Sequence, residues 1–349
     1  MYHGYGSNTS WMFQKICMSF STWGYAVFAA NLLGHGRSNG IRCYMGDMKK
    51  VAATSLSFFK HVRCSDPYIH LPAFLFGESM GVLLNFSCTF SLSLILGSSI
   101  CYPGLIFSAP LFVIPEDMKP SKPHLFAYGL LFGLADTWTA MPDNKMVGKA
   151  IHYTERLKII ASNPQRYTGK PRVRTMREIL RKTQYVQENF GRVIIPLMTV
   201  HGTYDGVTCP SSSTLLYEKA SSADKTLKLY DGMYHSLIQG EPDENAAIVF
   251  KDMREWIDEK DKFLKGETMV SLETTLALHL PVIDFASPNL KPRTIEWDSV
   301  RGDVRRALEE YGCFEASFYN FPVKHRKDVS KEVFQLLLET KQRVVSKRK

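Results

Sequence analysis

With 349 residues, 45% of them hydrophobic and 22% charged, the chain holds enough apolar material for one large domain and a smaller unit, which excludes a chain disordered throughout. The net charge of +9 is diffuse and gathers only at Lys347-Arg348-Lys349, with no aromatic and basic module beside it, so no nucleic-acid partner is expected. Seven scattered cysteines without a C-x-x-C pair read as reduced thiols, and Met1-Tyr2-His3-Gly4 shows no basic and apolar leader, so a cytoplasmic protein without a secretory signal is expected.

The first motif is His3-Gly4-Tyr5-Gly6, an H-G-x-G stretch of the kind that lends a backbone N–H to a developing oxyanion. Ser10 to Phe20 carries apolar residues (Trp11, Phe13, Ile16, Cys17, Phe20) at helical spacing, with Gly24 as the stop. Tyr25 to Ala30 reads as a buried strand, and Asn31 to Ser38 as a Gly-rich loop that fits neither nucleotide fingerprint. Asp47 is placed to cap a helix running to about Val62.

The apolar run Ala73 to Phe76 then delivers Gly77-Glu78-Ser79-Met80-Gly81. A strand turning at once into a helix puts the serine on a sharp turn with its hydroxyl clear of the sheet edge, and glycines on both sides avoid collisions there. From Ser79 to Pro115 no charged residue occurs, and Val82 to Tyr102 lacks the polar face of a surface helix. Its serines, Asn85 and Gly97 dilute the hydrophobicity of a membrane crossing, so a buried helical segment is the reading.

Gly104 to Ala109 is another strand, and the irregular helical stretch from about 111 to 190 has the length and bulky composition of a cap over an active site. Pro196 to Val200 is a strand that leads to Asp205, and Leu227 to Tyr230 a strand that leads to His235. A helix from Glu244 to about Lys260 closes this domain, taken as 1–265. A polar linker is expected over 266–279 and a small appendage over 280–349, with a strand at Leu280 to Phe285, helices at Trp297 to Tyr311 and Val329 to Gln342, and a turn into strand at Gly312 to Phe314.

Serine, acid and histidine in the order Ser79, Asp205, His235, each just past a strand end, form the constellation of nucleophilic acyl transfer. Ser79 would attack an ester carbonyl, His235 would move the proton, and Asp205 would hold the imidazole. Backbone N–H groups of Tyr5 and Met80 would bind the oxyanion. No cofactor and no metal is required by such chemistry.

Residues 3 to about 261 resemble the plant caffeoylshikimate-esterase and monoglyceride-lipase-like family of serine hydrolases, through HGYGSNTSW, GHGRSNGIRCYMGDM, FLFGESMG, HGTYDGVTCP and GMYHSLIQGEPDEN. The resemblance implies an α/β-hydrolase sheet, mostly parallel and flanked by helices, with a helical cap. It implies hydrolysis of caffeoyl shikimate, or of monoacylglycerols and lysophospholipids as related small-molecule esters, the lipid esters bringing peripheral membrane association with them.

Family members carry further strands before H-G-Y-G, one of them central in the sheet, so a fold with its N-terminal strands missing is expected. Only Met1 and Tyr2 stand ready for that slot, between Tyr25 to Ala30 and Ala73 to Phe76. Val82 to Tyr102 departs from the family's helix after the elbow, as a retained intron or misassigned exon would leave it, and Asn31 stands where the family has an aspartate. The rival reading from these departures is an inactive hydrolase acting as an interaction protein or fragment. Residues 269 to 349 resemble the N-terminal part of plant 2-oxoglutarate-dependent dioxygenases (LPVIDFASPNLKP, EWDSVRGDVRRALEEYGCFEASF, ETKQRVVSKR), a third reading. That family holds Fe(II) through an H-x-D motif and a distal histidine. No H-x-D occurs here, so its chemistry is not expected.

Overall fold

The computed structural model describes residues 1–10, 12–63, 65, 68, 71–86, 104–115, 123, 136–139, 149–268, 282–285, 294–310 and 315–317. The chain divides into two compact units, Met1–Glu273 and Thr274–Lys349. In the first, β1 (Phe74–Glu78), β2 (Gly104–Ser108), β3 (Leu197–Gly202) and β4 (Lys225–Tyr230) lie side by side in that order, all parallel. Strands buried on both faces need continuous apolar sequence, and β2 and β3 are buried at every residue.

Side-chain alternation divides the core into two layers. Leu75, Leu105, Phe107 and Leu197 face α2 (Met48–Arg63) and the helices Val173–Glu188 and Pro210–Lys219. Phe76, Ile106, Met198 and Val200 face α1 (Met12–Thr22) and the helix Asp243–Thr268. The apolar spacing of α1 thus seats Phe13 and Phe20 edge-on against Phe76, with ring centroids 6.3 and 5.9 Å apart. Asp47 caps α2, its Oδ1 accepting the Lys49 N–H at 2.8 Å. This is the helix-flanked parallel sheet of an α/β-hydrolase.

One expected strand does not form. Tyr25 to Ala30 has strand composition but is not part of the sheet, and its residues are half-buried or exposed. A ladder needs a partner along its length, and among the described residues the slot beside β1 holds only Met1 and Tyr2. Tyr2 donates to the Phe76 carbonyl at 2.9 Å and accepts from the Glu78 N–H at 3.0 Å, a single parallel bridge to Gly77. The Met1 nitrogen reaches across to the Phe28 carbonyl at 2.7 Å. Two residues satisfy part of the backbone on either side but cannot carry a strand pairing.

Behind the elbow, residues 81–86 are helical, with Val82, Leu83, Leu84 and Phe86 buried; Phe86 stacks on Phe107 at 5.5 Å. The start of the charge-free run therefore forms a buried helix behind Ser79, in line with its composition and despite its departure from the family's sequence there; residues 87–103 lie outside the described residues. So does much of the expected cap, whose described part holds the helices Thr154–Ala161 and Val173–Glu188. The helix from Asp243 continues to Thr268, through the point where a linker was expected to begin, because a polar composition suits the exposed face of a helix as well as a loop.

In the second unit β5 (Val282–Asp284) pairs in parallel with β6 (Glu315–Ser317), joined through the helix Ile295–Glu310. The helix expected at Val329 to Gln342 falls outside the described residues. Among the described residues no helix is long and apolar enough to cross a membrane.

The two elbow glycines are required by what they face. A Cβ on Gly77 would come 3.1 Å from the Val82 backbone, in the returning helix, and 2.5 Å from the Asn85 amide nitrogen. One on Gly81 would come 2.7 Å from the Tyr2 carbonyl oxygen and 2.8 Å from that of His3. Backbone cannot yield as a flexible side chain can, so Gly81→Ala is expected to cost about 1 to 3 kcal/mol, as overpacking generally does. Thermal unfolding should show a melting temperature several degrees lower; an unchanged value would mean that Tyr2 and His3 do not pack against the elbow.

Candidate active site

Four strand ends meet at the carboxyl edge of the sheet, where open α/β sheets bind ligands. Ser79 follows β1 directly, with φ of 53° in the left-handed region that a serine adopts only under constraint. The constraint is visible: its N–H donates to the Ser108 carbonyl at the end of β2, 2.9 Å away, and its own carbonyl accepts from Val82 and Leu111. The strained turn lifts Oγ off the sheet edge.

Asp205 lies on the loop after β3 and is buried among donors. Oδ1 accepts the Val207 and Thr208 N–H groups at 2.7 and 2.8 Å; Oδ2 accepts the Thr208 hydroxyl at 2.6 Å, His201 Nε2 at 2.9 Å and His235 Nδ1 at 2.7 Å. Burial alone would raise the pKa of this carboxyl. The charge of His235 and the hydrogen bonds from both histidines prevail and hold it well below the usual range.

His235 follows β4, on a loop pinned by the Tyr234 N–H on Glu241 Oε1 (2.8 Å) and the Ser236 N–H on the Ala150 carbonyl (3.1 Å). Its Nε2 stands 3.0 Å from Ser79 Oγ. Burial depresses its pKa, but the Asp205 carboxylate outweighs burial and the net shift is upward. A neutral His235 protonated at Nδ1 can therefore accept the Ser79 proton at Nε2, and the cation so formed lies against a carboxylate.

The structure thus brings Ser79, Asp205 and His235 into one chain of hydrogen bonds. Gly4 and Tyr5 line the same cavity as Ser79 and His235, of about 130 Å³. A Cβ on Gly4 would approach Ser79 Cβ to 3.2 Å. Met80 begins the turn into the helix at 81–86, and among the described residues neither its N–H nor that of Tyr5 makes a hydrogen bond. Both remain able to donate to an oxyanion.

The Tyr5 loop is held by His3, whose Nε2 accepts the Leu32 N–H at 3.1 Å while Nδ1–H donates to the Gly4 carbonyl at 2.9 Å. Those roles require a neutral ring, and burial, aided by His35, lowers its pKa to about 3. Asn31 does not lose the ordering function expected of an aspartate there. Its Oδ1 accepts the Thr9 N–H and hydroxyl at 2.9 and 3.2 Å, and its carbonyl accepts the Ser38 hydroxyl at 2.6 Å.

Sequence reasoning missed His201, which shares Asp205 with His235 and places Nδ1 2.7 Å from the Ser213 hydroxyl. Burial lowers its pKa and leaves it neutral, so it orients the carboxylate without competing for charge. Its signal was available: a histidine four residues before Asp205, at the end of the same strand.

A family model described as Hydrolase_4, serine aminopeptidase S33, matches residues 1–243. The chain belongs to this family. Caffeoylshikimate esterase of Arabidopsis thaliana is 80% identical over 268 residues, covering 77% of this chain and 79% of the relative. A crystal structure of a soluble variant of monoglyceride lipase from Saccharomyces cerevisiae shares the fold with a TM-score of 0.63 at 24% identity, over 74% of this chain and 84% of that one. The Hydrolase_4 match and these relatives make the chain a serine ester hydrolase of the α/β-hydrolase fold. Over 75 residues, 21% of the chain is also 48% identical to a probable 2-oxoglutarate-dependent dioxygenase of Arabidopsis thaliana and spans only 25% of that relative.

A base must be neutral to act. Because the His235 pKa lies above the ordinary 6.5, the acid limb of kcat/KM is expected above pH 6.5, with activity falling as pH drops through it. In Asp205→Asn the depressing effect of burial remains while the carboxylate is gone. Activity should fall about a thousand- to ten-thousandfold and the limb should move down. A parent limb at or below pH 6.5, or one unmoved in the variant, would contradict the assigned coupling.

Proposed function

We propose that the chain hydrolyses carboxylic esters through an acyl-enzyme on Ser79, with caffeoyl shikimate as the preferred substrate and monoacylglycerols or lysophospholipids as related ones. The observation that carries this reading is the relay itself: Ser79 Oγ to His235 Nε2 at 3.0 Å, and His235 Nδ1 to Asp205 Oδ2 at 2.7 Å. The 80% identity to caffeoylshikimate esterase supports the choice of substrate.

Oγ attacks the ester carbonyl as its proton passes to His235 Nε2, and the N–H groups of Tyr5 and Met80 take up the negative charge on the carbonyl oxygen, each such donor contributing about 3 to 4 kcal/mol. His235 then protonates the departing alkoxide, releasing the alcohol and leaving the acyl group on Ser79. Water, deprotonated by the same nitrogen, attacks the acyl-enzyme; the proton returns to Oγ and the acid leaves.

An inert interaction role is the weaker reading, since a retired site has no reason to keep a buried carboxylate with five donors and a serine at a strained φ. The second unit carries a fragment of dioxygenase-like sequence, and the chain's lack of H-x-D argues against oxygenase chemistry there. The scattered thiols favour a cytoplasmic setting, with peripheral membrane contact confined to lipid esters and no nucleic-acid partner.

A fluorophosphonate probe is expected to label the purified chain and not Ser79→Ala, and the untreated parent should hydrolyse caffeoyl shikimate faster than a monoacylglycerol. Equal labelling of parent and variant would remove Ser79 as nucleophile. A preference for monoacylglycerol would reverse the order of substrates.

A further inference from the structure

Arg166 lines the cavity that holds Ser79 and His235, yet the relay has no use for it. Its side chain is half-buried, and among the described residues the guanidinium makes neither a hydrogen bond nor an ion pair. A guanidinium presents five N–H donors in a rigid fork, and burial already pulls its pKa down, so an unfilled fork at such a position is costly unless a ligand fills it.

The turn that carries Arg166 is fixed to the catalytic loop by backbone contacts. Arg166 N–H donates to the Asn163 carbonyl at 3.1 Å, and the next residue, Tyr167, donates to the Gly6 carbonyl at 3.0 Å. The Tyr167 ring meets Tyr5 edge-on at 6.4 Å. The backbone that carries Arg166 is thereby tied to the Gly4-Tyr5-Gly6 loop.

Among the described lining residues Glu78 is the sole carboxylate, and it does not approach Arg166 closely enough to pair. Burial shifts Glu78 toward its neutral form, with Gln239, His235 and Arg166 opposing. The hydroxyl and amide side chains of the wall, Ser7, Ser10, Asn163, Thr168, Ser236 and Gln239, are uncharged. Among the described residues the cavity therefore offers a guanidinium with open donors beside Ser79 and no carboxylate paired with it.

We propose that Arg166 binds a carboxylate carried by the ester, making it a specificity-determining residue for anionic esters. Planar bidentate pairing is what the fork matches best. The proposal rests on the ester-hydrolase reading and sharpens it: caffeoyl shikimate bears a carboxylate on its alcohol portion, while a monoacylglycerol is neutral.

The test compares caffeoyl shikimate with its carboxylate methyl ester, which keeps the same scissile bond. The parent is expected to favour the acid about 10- to 100-fold, mainly through KM, the range of a hydrogen bond to a charged group. Arg166→Gln should abolish that preference, and Arg166→Lys should restore part of it. Equal KM values for the two esters in the parent, or a preference that survives in Arg166→Gln, would overturn the proposal without recourse to whether either variant is stable.

A second arm separates this site from the esterase reading. In Ser79→Ala, calorimetry with free shikimate and methyl shikimate should show binding of the acid at least tenfold tighter. No binding of shikimate, or equal binding of both, overturns the carboxylate site. Selective binding in Ser79→Ala, together with a parent that hydrolyses neither ester, would instead leave the site standing and remove the esterase reading.

Discussion

The site depends on how the Asp205 carboxylate is satisfied. A buried charge is tolerable only when donors replace the water it has lost, and here two backbone N–H groups, one hydroxyl and two imidazoles do so. Those donors come from the loop after β3, from the end of β3 and from the loop after β4. One anion therefore fixes the mutual position of two strand ends, and with them the direction of His235 toward Ser79. His201 completes the set while staying neutral, which leaves the positive charge for His235 alone.

The other half of the geometry is mechanical. Ser79 holds a left-handed backbone because β2 binds its N–H and the helix at 81–86 returns at once beneath it. The carbonyls of Tyr2 and His3 press on Gly81 from the far side. A single bridge at Tyr2, together with the two hydrogen bonds of the His3 ring, seats the loop that brings Gly4 and Tyr5 to the cavity wall beside Ser79.

What the sequence revealed and what it hid follow from how local each signal is. Ser79, Asp205 and His235 were legible because the glycines around the serine and the apolar runs before each residue place them at strand ends without reference to the rest of the fold. β1, β2 and β3 were legible for the same reason, as short apolar runs. Tyr25 to Ala30 has equally good local propensity, and fails because a strand is a property of its neighbours. Arg166 stands in no motif at all, and its significance comes from a cavity wall assembled by distant segments. The helix Asp243–Thr268 enters the stretch expected as linker because charged, polar sequence marks a solvated surface without saying whether the backbone is coiled, while the division between the two units, after Glu273, falls within 266–279.

The hydrogen bond from the Tyr167 N–H to the Gly6 carbonyl has a consequence for how selectivity and rate are related. It ties the wall that would recognise the ester to the loop that would stabilise its transition state. Discrimination by the Arg166 side chain is then felt chiefly in occupancy, whereas changes to the backbone of the 163–168 turn would propagate to the chemical step without touching any group that carries it out.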